Sequence, residues 1–452
     1  MRLDVIKTVL EESNRWWSNP NPSAFSSTVK PVKRQMFDRL MEYLGERGAR
    51  RAAVLSGMRQ VGKTELLKQI ANALLSEGWP PSSLVYFDFA DPRLPAGVTA
   101  PEVADIILRD PARGARPVLL LDEISKAANW GAWLKQAVDA QVGNLIITDS
   151  AASLIRDQAI ESAPGRWDEL RLEGLSFSEF LRLADPRSDS PPAIFRARPN
   201  SLERYLELGG FPEHVLEADL GLARQRLRDS IADKAIRFDL ARLDVNTDRL
   251  RSFFVYLVQD SGAIFNARKR ARDVDADERS IRRWVALLED AHLVTRLDRY
   301  GHNAAARLRS KPRYYATDHG LIHAFTPMAP EAIATLRGRI IEAVVFRHLR
   351  EAAREVGGQL SFFRDDSGIE ADFVLDSERG RFVIQATASA DPPARKLERL
   401  QKIAHDLGAV QAVVVQGGRA RQPDQWRAAM PVLSLSLAEF LLDPFLVLGD
   451  RR

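Results

Sequence analysis

Gly57-Met58-Arg59-Gln60-Val61-Gly62-Lys63-Thr64 decides how this 452-residue chain is read. The stretch fits G-x-x-x-x-G-K-[ST], whose glycines let backbone N–H groups come close to a phosphate. Ahead of it runs Ala52-Ala-Val-Leu-Ser56, a short apolar segment that predicts a buried strand. Behind it, residues 65–75 carry apolar side chains at helical spacing. Strand, glycine loop and helix in that order bring a positively polarised helix N-terminus to the phosphate. The loop and the start of the helix, Gly57, Gln60, Val61, Gly62, Lys63, Thr64 and Glu65, are therefore the candidate phosphate cradle. Lys63 would reach the β- and γ-phosphates and Thr64 would hold Mg²⁺ through its hydroxyl, so ATP with Mg²⁺ is the expected ligand pair.

Hydrolysis needs more than a cradle: a carboxylate for the metal and a group that positions water. Pro117-Val-Leu-Leu-Leu-Asp122-Glu123 offers both at the end of a second apolar strand, where open α/β sheets place their ligands. Asp122 is the expected metal carboxylate and Glu123 the residue that polarises the attacking water. Two more strands, Leu84–Asp88 and Asn144–Thr148, complete the expected sheet. The second runs into Asp149 and Ser150. Either Thr148 or Ser150 fits a phosphate-sensing role there, and Ser150 fits a helix cap equally well.

Composition narrows the class. Hydrophobic residues make up 45% of the chain, enough for two or three cores at this length. There is no cysteine, which excludes disulfides and thiolate metal sites and suits the cytoplasm. No apolar run approaches the ~20 residues of a membrane helix, and the N-terminus has no signal-peptide layout. Net charge is +4 with a pI near 9.3, which permits a polyanionic partner.

Taken together, several motifs resemble the large prokaryotic family of AAA+-type ATPases that carry a C-terminal nuclease-like domain. They are Trp16-Trp17, Gly57 to Thr64, Leu121-Asp-Glu123, Gly165-Arg166, Leu175-Ser-Phe-Ser-Glu-Phe180, Gly209-Gly-Phe-Pro212, Tyr315-Ala-Thr-Asp-His-Gly320 and Glu370-Ala-Asp-Phe-Val374. The resemblance spans nearly the whole chain. It implies an α/β fold: a P-loop, AAA+-like parallel sheet, a helical lid, a winged helix and a C-terminal α/β nuclease-like domain. The corresponding boundaries are 1–172, 173–246, 247–313 and 314–452. It also implies that Arg166 reads the γ-phosphate, in cis or from a neighbour, with a surface salt bridge as the plain alternative. Arg59 is a weaker candidate for that task. Asp149 departs from the family, where glycine is usual after the sensor threonine, and the extra carboxylate bears on phosphate sensing and metal binding.

Residues 247–313 read as helix, turn, helix, strand, with Ile281, Trp284, Val285 and Leu288 at inward spacing. From Asn266 to Arg313 there are 13 Lys/Arg against 7 Asp/Glu. Arg268, Lys269, Arg270 and Arg272 form one cluster, Arg279, Arg282 and Arg283 line the outer helix face, and Arg307, Arg309, Lys311 and Arg313 fall where a wing would be. Such clusters suit DNA phosphates, in a manner selective for structure rather than sequence; packing or oligomer contacts are the alternative. Further on, the strand order resembles PD-(D/E)xK nucleases, with Asp372 in the first acidic position and Glu342 on the supporting helix. The E-x-K position reads Gln385-Ala386-Thr387, which supplies neither the metal's second carboxylate nor the lysine, so nuclease activity is not expected.

Two functions follow. One is a P-loop ATP hydrolase, a nucleotide-dependent homo-oligomer with a hexamer among the candidates, that couples its cycle to DNA binding, remodelling or translocation. The other is a STAND-like regulatory switch in which nucleotide acts on a protein partner without DNA stimulation.

Overall fold

The computed structural model describes residues 2–19, 29–44, 50–114, 116–150, 165–188, 190–240, 245–301, 310–326, 333–418 and 432–449. The chain forms two compact units: Met1–Glu173 with Asp290–His292, and Gly174–Glu289 with Leu293–Arg452.

The first unit begins with helices α1 (Arg2–Ser13) and α2 (Gln35–Glu42). It continues through β1 (Ala52–Ser56), α3 (Lys63–Ser76), β2 (Leu84–Asp88), α4 (Ala100–Leu108), β3 (Val118–Asp122), α5 (Trp130–Asp139), β4 (Asn144–Asp149) and β5 (Trp167–Arg171). All five strands are parallel, in the order β2-β3-β4-β1-β5. The central strands β1 and β3 are buried on every residue, as a sheet covered on both faces requires. Apolar patterning predicts four strands; the fifth is β5, Trp-Asp-Glu-Leu-Arg, in which only Leu170 is buried. An edge strand has one neighbour and half its surface in water, so its sequence carries no apolar run.

The opposite edge, β2, is covered by side chains of the N-terminal segment. Asn14 mimics a neighbouring strand: its Nδ2 donates to the Tyr86 carbonyl at 2.8 Å and its Oδ1 accepts from the Tyr86 N–H at 2.7 Å. Both Trp16 and Trp17 donate their indole N–H to the Leu84 carbonyl, at 3.1 and 2.9 Å. The tryptophan pair thus satisfies an edge that would otherwise be a template for pairing with another chain.

The second unit opens with α6 (Phe177–Ala184), α7 (Pro191–Ala197), α8 (Ser201–Leu208) and α9 (Leu220–Arg226). Helices α10 (Thr247–Gln259), α11 (Ala267–Asp273) and α12 (Glu278–Asp290) follow, then the antiparallel pair β6 (Val294–Leu297) and β7 (Arg313–Ala316). Ile281, Trp284, Val285 and Leu288 are the buried residues of α12. After α13 (Gly320–Phe325) and the long α14 (Ile333–Glu355) comes a mixed sheet of β8 (Gln359–Arg364), β9 (Glu370–Ser377), β10 (Gly380–Thr387), β11 (Gln411–Gln416) and β12 (Val432–Ser436). Its order is β12-β11-β10-β9-β8, antiparallel across β8-β9-β10 and parallel across β10-β11-β12. Helix α15 (Ala394–Asp406) follows β10.

A buried carboxylate knots this unit together. Asp318, fully buried, accepts from the N–H groups of Gly210 and Gly320, each at 2.9 Å, and faces the Arg347 guanidinium at 3.7 Å. Arg347 also donates to the Tyr205 hydroxyl at 2.9 Å and to the Gly174 carbonyl. A Cβ on Gly209 would stand 2.0 Å from the Asp318 carboxylate, and one on Gly174 2.7 Å. Gly209 moreover sits at φ 77, which disfavours any side chain. These glycines and the Asp-His-Gly turn are thus explained by close packing around one charge pair.

Candidate nucleotide site and basic surfaces

The glycine loop leaves the C-terminal end of β1 and enters α3, and its backbone tolerates little change. A Cβ on Gly57 would meet the Leu172 carbonyl oxygen at 2.4 Å, and Gln60 and Gly62 take φ values of 62 and 100. Residues 30–34 are strapped across α3: Gln69 donates to the Lys30 and Val32 carbonyls, Glu65 accepts from the Lys30 N–H at 2.6 Å, and Arg34 donates to the carbonyls of Val61 and Glu173. Glu65 and Val61 therefore support the loop from behind, an arrangement with no local sequence signal.

Parallel register brings the acids to the same end of the sheet. Because β4 lies between β1 and β3, its last residues stand between the loop and Asp122-Glu123. Lys63 is buried and donates to the Gly57 carbonyl at 2.8 Å, the Met58 carbonyl at 2.9 Å and the Ser150 hydroxyl at 3.2 Å. Ser150 in turn donates to Glu123 Oε1 at 2.5 Å. One hydroxyl thus joins the loop lysine to the candidate water-polarising carboxylate. Burial lowers the Lys63 ammonium from its ordinary value, opposed by the charges of Glu123, Asp149 and Asp122.

Thr148 has a different task. Its hydroxyl donates to Asp122 Oδ1 and accepts from the Glu123 N–H at 3.2 Å, so it fixes the carboxylate and the turn after it. The other Asp122 oxygen accepts from the Tyr86 hydroxyl at 3.1 Å. Tyr86 escapes sequence reasoning because its place depends on β2 pairing with β3. Beside it, burial and the neighbouring charges of Asp122 and Glu123 push the Asp88 carboxyl up to about 6. Asp149 accepts from the Ser125 N–H at 2.8 Å, so the unusual carboxylate anchors the turn that follows Glu123.

Arg166 does not join this cluster. Its backbone carbonyl accepts from the Ala52 N–H, at the start of β1, and its guanidinium pairs with Asp139 at 2.6 Å. That is the opposite end of the sheet, roughly 16 Å from the glycine loop for five strand residues. Within one chain the plain alternative, a surface salt bridge, is what the structure contains. Arg59 lies in the loop, half-buried.

The basic residues of the second unit divide. Arg268, Lys269, Arg272, Arg279, Arg282, Arg283 and Lys311 are exposed, with Arg282 paired to Glu278 at 2.6 Å. Arg270 is a correction: it is 5% exposed, bonded to Asp260 at 2.5 Å and stacked over Tyr256 at 4.2 Å, so its charge serves the interior. Arg313 is a second one. Instead of lining a wing, it is buried and faces Glu342, Glu370 and Asp372 at 3.3, 2.9 and 3.9 Å. Arg307 and Arg309 lie outside the described residues.

Comparison with known proteins gives three family matches along the chain. Residues 49–181 match a family described as an AAA domain, 199–332 a domain of unknown function (DUF8612), and 337–435 a domain of unknown function (DUF4143). An uncharacterized protein of Haemophilus influenzae is 26% identical over 276 residues, 59% of this chain and 67% of that one. The uncharacterized protein Rv2008c of Mycobacterium tuberculosis is 25% identical over 383 residues, 82% of this chain and 77% of that one. Among solved structures, the RuvB Holliday junction branch migration motor of Thermotoga maritima aligns at 16% identity over 59% of this chain and 90% of that one, with a TM-score of 0.30. A score this low does not establish a shared fold.

Proposed function

We propose that the AAA-type P-loop domain, which occupies part of the first unit and an adjoining segment, binds and hydrolyses ATP, and that its cycle is coupled to DNA held by the second unit. The observation that carries the first part is the hydrogen-bonded chain Lys63–Ser150–Glu123 beside Thr148–Asp122, at the strand ends where such sheets bind ligands. The donor set suits ATP with Mg²⁺: a loop of closely approached backbone, a buried lysine, and a hydroxyl and a carboxylate at Thr64 and Asp122. The metal, when bound, neutralises charge on the phosphates. Lys63 trades its loop carbonyls for phosphate oxygens. Thr148 and Tyr86 hold Asp122 in orientation, and Ser150 holds Glu123, which orients water and accepts its proton.

The DNA part rests on the exposed cations of α11 and α12, Arg268, Lys269, Arg272 and Arg279. Three helices followed by a two-stranded antiparallel sheet suit a winged helix, and the mixed sheet with α14 and α15 suits a nuclease-like domain without cleavage. In this reading residues 1–172, 173–246, 247–313 and 314–452 are ATPase core, helical lid, winged helix and nuclease-like domain. The protein works in the cytoplasm as a nucleotide-dependent homo-oligomer, a hexamer among the candidates, in which a neighbour's Arg166 serves the γ-phosphate. Among the described residues no helix is long and apolar enough to cross a membrane.

The test is steady-state ATP hydrolysis with and without duplex, single-stranded and four-way-junction DNA at low and moderate salt. Stimulation by one DNA form, abolished in Lys63→Ala, is the expected result. Slow turnover indifferent to every DNA would replace this reading with a regulatory nucleotide switch acting on a protein.

A further inference from the structure

The resemblance to PD-(D/E)xK nucleases implies a divalent cation at Asp372 and Glu342, and the residues present do not fit one. Among the described residues no group of three or more His, Cys, Asp or Glu is placed to hold a metal ion. The carboxylates instead surround a cation supplied by the chain. Arg313, on β7, lies within 3.3 Å of Glu342, 2.9 Å of Glu370 and 3.9 Å of Asp372, and is 4% exposed. The remaining donors complete the arrangement. Tyr315 donates to Glu342 at 2.7 Å, Arg364 to Glu370 at 3.2 Å, and both Gln385 Nε2 and the Ala386 N–H donate to Asp372 Oδ2, the latter at 2.9 Å. Gln385, the residue that breaks the nuclease pattern, is therefore matched to its site. A glutamate there would stand against Asp372 with no donor to offer, whereas the amide gives one.

These acids form one wall of a cavity of about 770 Å³. The other wall is basic: Arg395, Lys396 and Arg399, from the first turns of α15. Arg395 and Arg399 are exposed and Lys396 is half-buried. Burial pushes the Asp372 carboxyl up from its ordinary value, opposed by the charges of Arg313 and, more weakly, Lys396. A nuclease site repels a phosphodiester until metal arrives. This one carries its counterion within the fold.

We propose that Arg313 replaces the divalent cation as the charge that balances Glu342, Glu370 and Asp372, and that the cavity is a metal-independent seat for a DNA phosphodiester gripped by Arg395, Lys396 and Arg399. The proposal rests on the DNA reading above and adds a second, separate point of attachment to it.

The test uses the full-length protein without nucleotide and a fluorescein-labelled DNA duplex, read by anisotropy over a salt series. Wild type is compared in EDTA and in Mg²⁺ at matched ionic strength. Two charge reversals are compared with it: Arg395→Glu/Lys396→Glu/Arg399→Glu on α15, and Arg268→Glu/Lys269→Glu/Arg272→Glu on α11. The glutamine versions of the α15 set are included, with circular dichroism on every variant, so that misfolding is seen and bypassed. The expected result is a Kd within threefold between EDTA and Mg²⁺, at least a tenfold loss on α15 reversal, and a salt slope shallower by about one, for the phosphate no longer neutralised. Binding that appears only with Mg²⁺, or an α15 reversal that leaves Kd within twofold, overturns the proposal. If the α15 variant binds normally while DNA still stimulates ATP hydrolysis, the seat is refuted and the coupled ATPase stands. If α15 reversal abolishes binding yet DNA never stimulates hydrolysis, the seat stands and the coupling falls. A wild type that binds no DNA at low salt removes both.

Discussion

Replacing Ser150 by alanine removes one hydroxyl and two hydrogen bonds, each to a charged partner: 3.2 Å from Lys63 and 2.5 Å to Glu123. A hydrogen bond to a charged group is worth ~1.5–3 kcal/mol, and each 1.4 kcal/mol is a factor of ten. Lys63 keeps the Gly57 and Met58 carbonyls, or phosphate oxygens once nucleotide is bound, so its loss is small. Glu123 loses its orienting donor, and that loss falls on the step in which water is positioned. Ser150→Ala is therefore expected to lower kcat roughly 10- to 100-fold with little change in nucleotide affinity. Ser150→Thr, which retains the hydroxyl, should recover most of the rate. The assay is steady-state phosphate release for kcat and KM beside equilibrium binding of a fluorescent ATP analogue. A kcat within twofold of wild type, or a defect confined to binding, would refute Ser150 as the residue that positions Glu123.

Gly209→Ala should destabilise the second unit by about 3–5 kcal/mol, because it adds left-handed strain and displaces a buried carboxylate from its donors; an unfolding free energy from urea titration lowered by less than about 1 kcal/mol contradicts this. Glu342→Gln should flatten the pH dependence of stability. The native carboxyl, up near 8 against 4.5 in the unfolded chain, holds its proton more tightly, so its stabilisation is present below 4.5 and lost as pH rises through 8. Urea midpoints at pH 5, 7 and 9 should thus fall less in the variant than in wild type. Arg166→Ala should leave melting temperature and ATP affinity unchanged, since its partner Asp139 is a surface residue. If a neighbour's Arg166 serves the γ-phosphate, kcat falls and mixing with Lys63→Ala subunits restores turnover; an unchanged kcat confines Arg166 to its salt bridge.

What could be read from the sequence divides along a physical line. The glycine loop and Asp122-Glu123 are legible because backbone approach and strand-end chemistry are local, set by a few consecutive residues. The central strands are legible because a strand buried on both faces must be apolar throughout, and β5 is not, because an edge strand need not be. Arginine roles are the least legible. Arg270 and Arg313 belong to basic clusters in sequence, yet the partners that claim Arg313 lie 29, 57 and 59 residues further along the chain. A guanidinium facing water and one buried among carboxylates look identical until the chain is folded. Tyr86, Asn14 and the Trp16-Trp17 pair share that difficulty, since each answers a need of a neighbouring strand.

The Asp318–Arg347 pair bears on how this protein can be taken apart. The two matched regions, 199–332 and 337–435, divide at the short segment between them, with Asp318 on one side and Arg347 on the other. Removing one partner of a buried ion pair costs about 3–5 kcal/mol, a large part of a domain's stability. A chain shortened after residue 332 would keep a carboxylate caged by glycines with no guanidinium to face it. Within the second unit, the part before that cut and the part after it share one buried charge pair. Loss of activity on such a truncation would report a collapsed middle rather than a missing C-terminal task, and the two regions should be inherited together wherever this knot is present.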